Sequence, residues 1–122
     1  MGTTKIQSFT DLRAWQKGHR LVLDVYRITR AFPREEQFGL TSQLRRAAVS
    51  FTSNIAEGFS RVSRREKVQF YTVALGSLTE IQNQLLIARD IGYLSKDQFG
   101  SIASQTVEAH KITRGLVRSI RP

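Results

Sequence analysis

Residues 40–61, LTSQLRRAAVSFTSNIAEGFSR, decide the fold. Leu40, Leu44, Ala47, Ala48, Phe51, Ile55 and Phe59 recur every three or four residues, the spacing of one helical face. Small side chains flank that face: Ser50, Ser53, Ala56 and Gly58. They leave room for a second helix to come close. Polar groups line its edge at Ser50, Asn54 and Glu57.

Working outward, the same period recurs on both sides. Upstream, Leu12, Trp15, His19, Val22 and Tyr26 form an a/d stripe. Thr10 is its expected cap, with Asp11 in the first turn. The helix is expected to reach about Ala31, because Pro33 disfavours helical backbone just before it. Pro33, Arg34, Glu35 and Glu36 suit a single turn, with proline and acids in the favoured first positions. Downstream, Ser63 and Glu66 read as a capping box. It opens the longest helix, whose core face holds Tyr71, Ala74, Leu75, Leu78, Ile81 and Leu85. Gly92 ends it. Ser95 and Gln98 form a second box, and the last helix carries Phe99, Ile102, Ala103, Thr106, His110, Thr113 and Val117 on one face. Four helices with short connections predict an all-α, antiparallel up-down-up-down four-helix bundle. Residues 1–8 are expected to be a flexible tail, and 9–122 the bundle domain.

Composition narrows the function classes. A chain of 122 residues is one domain of ordinary size. It has no cysteine, which excludes disulfides, thiolate metal sites and cysteine nucleophiles. Apolar runs are too short for a bilayer, and no signal-peptide segment opens the chain, so a cytoplasmic location is expected. Nineteen Lys and Arg against ten Asp and Glu give a net charge of +9. Such charge suits polyanionic partners, or else it only maintains solubility.

The segments FTDLRAWQK (9–17), FPREEQFGLTSQLRRAAVSFTSNIAEGFSR (32–61) and ALGSLTEIQNQL (74–85) carry a resemblance. They are similar to the four-helix-bundle proteins encoded in intervening sequences of bacterial 23S ribosomal RNA. NIAEG (54–58) and GSLTE (76–80) are the most specific parts. The resemblance implies an up-down bundle that assembles into rings, typically pentamers. It extends distantly to accessory proteins of the reverse transcriptase of diversity-generating retroelements, which bind nucleic acid and that enzyme. For the branch this chain resembles most, the resemblance implies no established role.

The candidate sites follow. Ser50, Asn54 and Glu57, with Ser77 and Glu80 from the third helix, form a polar cluster matching NIAEG and GSLTE. It reads either as a two-carboxylate pocket or as a hydrogen-bonded structural network. The network is favoured, since no nucleophile, phosphate-binding loop or metal-spaced histidine accompanies the carboxylates. His19 and His110 fall on core-facing stripes. Two ligands without a placed carboxylate make a thin site, so no metal or other cofactor is expected. Trp15 and Tyr71 offer rings for base stacking, but their helical phase assigns them to the core first. Arg46 is a candidate partner for Glu57 or for a neighbouring subunit, and Arg45 a solvent or partner residue.

Bundle topology brings the start of the first helix, the second turn and the end of the last helix to one pole. That pole holds Lys5, Arg13, Lys17, Arg61, Arg64, Arg65, Lys67, Lys111, Arg114, Arg118 and Arg121 against Asp11, Glu57, Glu66 and Glu108. Of these, Arg13, Lys17, Arg61, Arg64, Arg65, Lys67, Lys111, Arg114 and Arg118 are the candidate nucleic-acid-binding residues. The expected function is a non-enzymatic, basic bundle that binds the backbone of RNA or DNA. The alternative is a scaffold subunit, such as an accessory to a reverse transcriptase or RNA-processing enzyme. Surplus apolar residues off the main stripes (Leu21, Val25 and Ile28; Val73, Ile87 and Ile91) predict a homo-oligomer.

Overall fold

The computed structural model describes residues 5–121. Four helices make up the fold: α1 (Arg13–Thr29), α2 (Leu40–Ser60), α3 (Arg64–Ile91) and α4 (Lys96–Ile120). Each packs against the next, and α4 closes the bundle against α1; the backbones of the two diagonal pairs stay farther apart among the described residues. Cross-helix contacts fix the directions. Lys17 meets Glu108 while Asp24 meets Gln105, so α1 and α4 run antiparallel. Ser50 meets Ser77, and Gly58 lies against Tyr71, so α2 and α3 do too. Gln82 bonds Thr106, and Arg89 stacks over Phe99, which orders α3 and α4 in the same way. The up-down-up-down bundle is therefore the one expected.

The helix ends follow from local chemistry. The turn at Arg34–Glu36 forms where the sequence places it. Gly39 offers no side-chain cap to α2, and Glu36 Oε1 instead accepts from the Leu40 amide at 3.2 Å. Ser63 caps α3 through the Glu66 amide, but Glu66 reaches the Ser63 hydroxyl and not its backbone, so only half the box forms. Ser95 and Gln98 make the complete box on α4. Gly92 ends α3 at φ +100, a left-handed conformation that costs a side-chain-bearing residue. At the chain start Thr10 is not a cap: α1 has no side-chain cap at Leu12, and the turn before it is capped by Ser8. It accepts from the Thr10 amide above a short turn at Phe9–Asp11, while Asp11 accepts from the amides of Gln7 and Ser8. Of the expected tail, residues 1–4 lie outside the described residues.

The core stripes of α2, α3 and α4 are essentially those read from periodicity. The stripe of α1 is not. Its buried residues are Ala14, Gly18, Leu21, Val25 and Thr29. Leu21 and Val25, expected at a subunit interface, are 1% and 0% exposed. His19 and Tyr26 point outward, and Leu12, Trp15 and Val22 pack at the margin. The reason is steric. A Cβ at Gly18 would lie 2.3 Å from the Phe51 ring, so the small face of α1 lets the helix close on α2. The bulky Trp15 face could not approach so far. Gly58 serves the α2–α3 contact likewise, with the Tyr71 ring 2.6 Å from where a Cβ would stand.

The pole away from the basic end is latched by one bond. The Tyr93 hydroxyl donates to Glu36 Oε2 at 2.9 Å, and Phe32 packs on the Tyr93 ring. That carboxylate and burial together hold the Tyr93 pKa above the ordinary phenol value.

These contacts make the glycines unequal. Gly18→Ala and Gly58→Ala should each destabilise by about 1–3 kcal/mol through overpacking. Gly100, which faces open space on α4, should gain up to about 1 kcal/mol as alanine. Urea unfolding midpoints check the ordering, and a Gly18→Ala protein as stable as the parent would refute the close-approach account.

Candidate nucleic-acid interface

The candidate surface lies where the start of α3 meets the end of α4. Arg64, Arg65, Val68 and Gln69 on the first turns of α3 line one open groove together with Arg121. Arg121 also closes a second groove, whose walls are Thr72 and Leu75 of α3 and His110, Arg114, Val117 and Arg118 of α4. Arg121 is common to both, and Thr72 follows Val68 by one helical turn, so the two form one continuous furrow. Their volumes are about 650 and 500 Å³. Among the described residues, five arginines line it and no carboxylate side chain does.

The helix ends treat these charges unequally. Arg114, Arg118 and Arg121 approach the C-terminus of α4, where the backbone dipole favours cations. Arg64 and Arg65 sit at the N-terminus of α3, where it disfavours them. Two adjacent cations there cost stability, and neither has an ion pair among the described residues.

The other candidate residues divide into two groups. Arg13 and Lys111 are exposed and form no ion pair among the described residues. Lys17, Arg61 and Lys67 are engaged within the chain. Lys17 Nζ lies 2.9 Å from Glu108 and holds that carboxyl below its usual range, with Arg13 and Arg20 adding to the field. Arg61 spans Glu57 and Glu66 at 3.1 and 3.9 Å and stacks on Phe70. Lys67 donates to the carbonyls of Gly58 and Phe59, capping the end of α2. Glu108 precedes Arg121 by thirteen residues, roughly 20 Å of helix. The basic surface is thus a band running up α4 as well as an end.

The polar cluster comes together in part. The Ser50 and Ser77 hydroxyls lie 3.0 Å apart between α2 and α3. Asn54 Nδ2 donates to the Ser50 carbonyl at 2.8 Å and to its hydroxyl at 3.2 Å. Glu57 stands outside, exposed and paired with Arg61, and Glu80 accepts only from Gln84, at 3.4 Å. The two carboxylates therefore share no pocket. Among the described residues, no group of three or more His, Asp or Glu could hold a metal. His19 stacks on Trp15 while His110 lies in the α4 furrow, so the two histidines serve different surroundings.

Periodicity misses several contacts. Its reading leaves Arg45 to solvent or a partner, but the Arg45 Nε donates to the Thr29 hydroxyl at 2.9 Å and the guanidinium covers Tyr26. Arg46 does not reach Glu57, which Arg61 occupies. Gln105 donates to Asp24 at 2.8 Å across α1 and α4. None of these has a local sequence signal, since each is decided by residues from different elements.

The geometry defines a small all-α bundle with a cationic furrow between its third and fourth helices. The chain belongs to the 23S rRNA-intervening sequence protein family, whose model matches residues 10–115. No curated protein matches it. A similar fold occurs in the crystal structure of a protein with unknown function from the S23 ribosomal protein family of Bacteroides thetaiotaomicron VPI-5482. The TM-score is 0.79 at 19% identity, over 86% of this chain and 95% of that one. No described helix is long and apolar enough to cross a membrane.

The cluster geometry separates two substitutions. Asn54→Ala should destabilise by about 1–3 kcal/mol, because half-buried groups at Ser50 lose a donor. Glu57→Ala should cost less than about 1 kcal/mol, since its pair with Arg61 is exposed. Thermal melts of the two variants test this, and an equal loss would mean that Glu57 has a structural role outside the Arg61 pair.

Proposed function

We propose that the protein is a non-enzymatic nucleic-acid-binding bundle that grips the phosphate backbone through the α3–α4 furrow. The observation carrying this reading is the convergence of Arg64, Arg65, Arg114, Arg118 and Arg121 on one groove that, among the described residues, no carboxylate side chain lines. Arg64 and Arg65 add weight, because their position at a helix N-terminus opposes stability and so calls for another use. Released counterions supply the binding free energy, which makes affinity fall steeply with salt. Arg13 and Lys111 extend the field along the bundle. Lys17, Arg61 and Lys67 support it from within ion pairs and caps.

We propose further that the protein acts as a homo-oligomer, with the ring of five that the family resemblance implies. Support comes from one side of α3, where Ile87 and Ile91 stand one turn apart at 41% and 55% exposure and Val73, nearer the start of the helix, is 54% exposed. Clustered exposed aliphatics mark contact surfaces. Light scattering at micromolar concentration should report a multimer, and a stable monomer would remove this part.

The basic furrow is tested by charge removal. Arg64→Gln with Arg65→Gln should weaken RNA and DNA binding at low salt. The pair should also flatten the salt dependence, by about one unit of slope for each phosphate that is no longer neutralised. The melting temperature should hold or rise slightly. Arg30→Gln with Arg34→Gln, at the other pole, should change binding little. Equal weakening by the two pairs would leave only diffuse charge and defeat the proposal.

A further inference from the structure

We infer that the furrow takes a single strand of nucleic acid and not a duplex; this rests on the function proposed above. The first argument is width. Neighbouring helices in a bundle lie about 8–10 Å apart. A duplex, whose major groove alone is about 12 Å across, can only rest on the rims of such a furrow. A single strand can enter it.

The second argument is length and spacing. The furrow runs from Arg64 to Leu75 on α3 and from His110 to Arg121 on α4. Each edge covers about 16 Å at the helical rise, room for a few nucleotides. On α4 the arginines recur at 114, 118 and 121. Successive guanidinium origins therefore advance by about 6 and 4.5 Å along the helix. That ladder can follow the phosphates of one extended strand, one cation after another.

The third argument is the floor. Val68, Leu75 and Val117 line the furrow beside the arginines. An apolar strip there gains nothing from a duplex, whose base faces are already stacked. An unpaired base can lay its face or edge on it, under a covering guanidinium plane. Among the described residues, no carboxylate side chain lines the furrow, and its one aromatic ring is the His110 imidazole. The recognition it supports is therefore tolerant of sequence, with strandedness as the property read.

The test compares a fluorescently labelled 12-nucleotide oligothymidylate, a 12-nucleotide oligouridylate and a blunt 12-base-pair DNA duplex, titrated with the intact protein at low salt. The single strands should bind about tenfold or more tightly than the duplex. Arg114→Gln and Arg118→Gln should each lower the salt slope for the single strand by about 0.7. Thr72 is exposed and lines the furrow, so Thr72→Glu adds a carboxylate there without entering the core. It should cut single-strand affinity severalfold and leave the circular dichroism spectrum and melting temperature unchanged. A duplex that binds as tightly as the single strands would overturn the inference and leave the basic-furrow function standing, whereas single-strand binding indifferent to Thr72→Glu would overturn the inference and the furrow as the binding site with it. Failure of all three probes to bind would overturn both.

Discussion

Two aromatic rings set against two glycines hold the bundle together. Phe51 and Tyr71 are almost wholly buried, and each lies where the side chain of a facing residue would otherwise stand, at Gly18 and Gly58. These contacts set the distances from α1 to α2 and from α2 to α3. The second distance in turn brings Ser50 within bonding reach of Ser77. With α1 and α3 both docked on α2, α4 has one slot left, and its Ile102, Ala109 and Val117 fill it. Interiors packed this densely transmit small changes in volume, so the positions of the surface arginines depend on buried rings some distance away.

The two poles use charge in opposite ways. At the Tyr93 end two acids are engaged within the chain: Glu36 caps α2 and accepts from Tyr93, and Asp90 pairs with Arg89. At the other end the cations fall into two groups. Arg61 and Lys67 secure the α2–α3 turn through ion pairs and carbonyl capping. The arginines lining the α3–α4 furrow have no ion-pair partner among the described residues. A protein under selection for stability alone would place acids on the first turn of α3, where the dipole favours them. This chain places Arg64 and Arg65 ahead of Glu66. Local rules broken without an internal gain are a mark of functional positions.

The polar cluster illustrates how neighbouring motif residues part company. Ser50 and Asn54 turn toward α3, while Glu57, at the next position along the same flank, turns toward the chain's own next turn and pairs with Arg61. Spacing along a helix groups residues by direction within the width of a stripe. The partner that wins depends on which cation the following turn delivers.

Much is legible in the sequence because it is local. The helical period in α2, α3 and α4, the left-handed glycine at Gly92 and the capping box at Ser95 depend on residues a few positions apart. Topology alone brings the three basic segments toward one pole, but it does not show that the cations also form a band up α4. The phase of α1 is not legible, because two apolar stripes compete there and periodicity weighs bulk above smallness. The Ala14, Gly18, Leu21 and Val25 stripe is present in the sequence, but only the Phe51 ring on another helix makes its smallness decisive. The same limit hides the Arg45–Thr29 and Tyr93–Glu36 bonds and the shared furrow of Arg64, Arg65 and Arg121. Sequence by itself determined which segments are helical, because that is set within a turn or two of backbone. Tertiary structure alone decided which face α1 buries and which charges remain free, because both are settled by how closely two helices can approach.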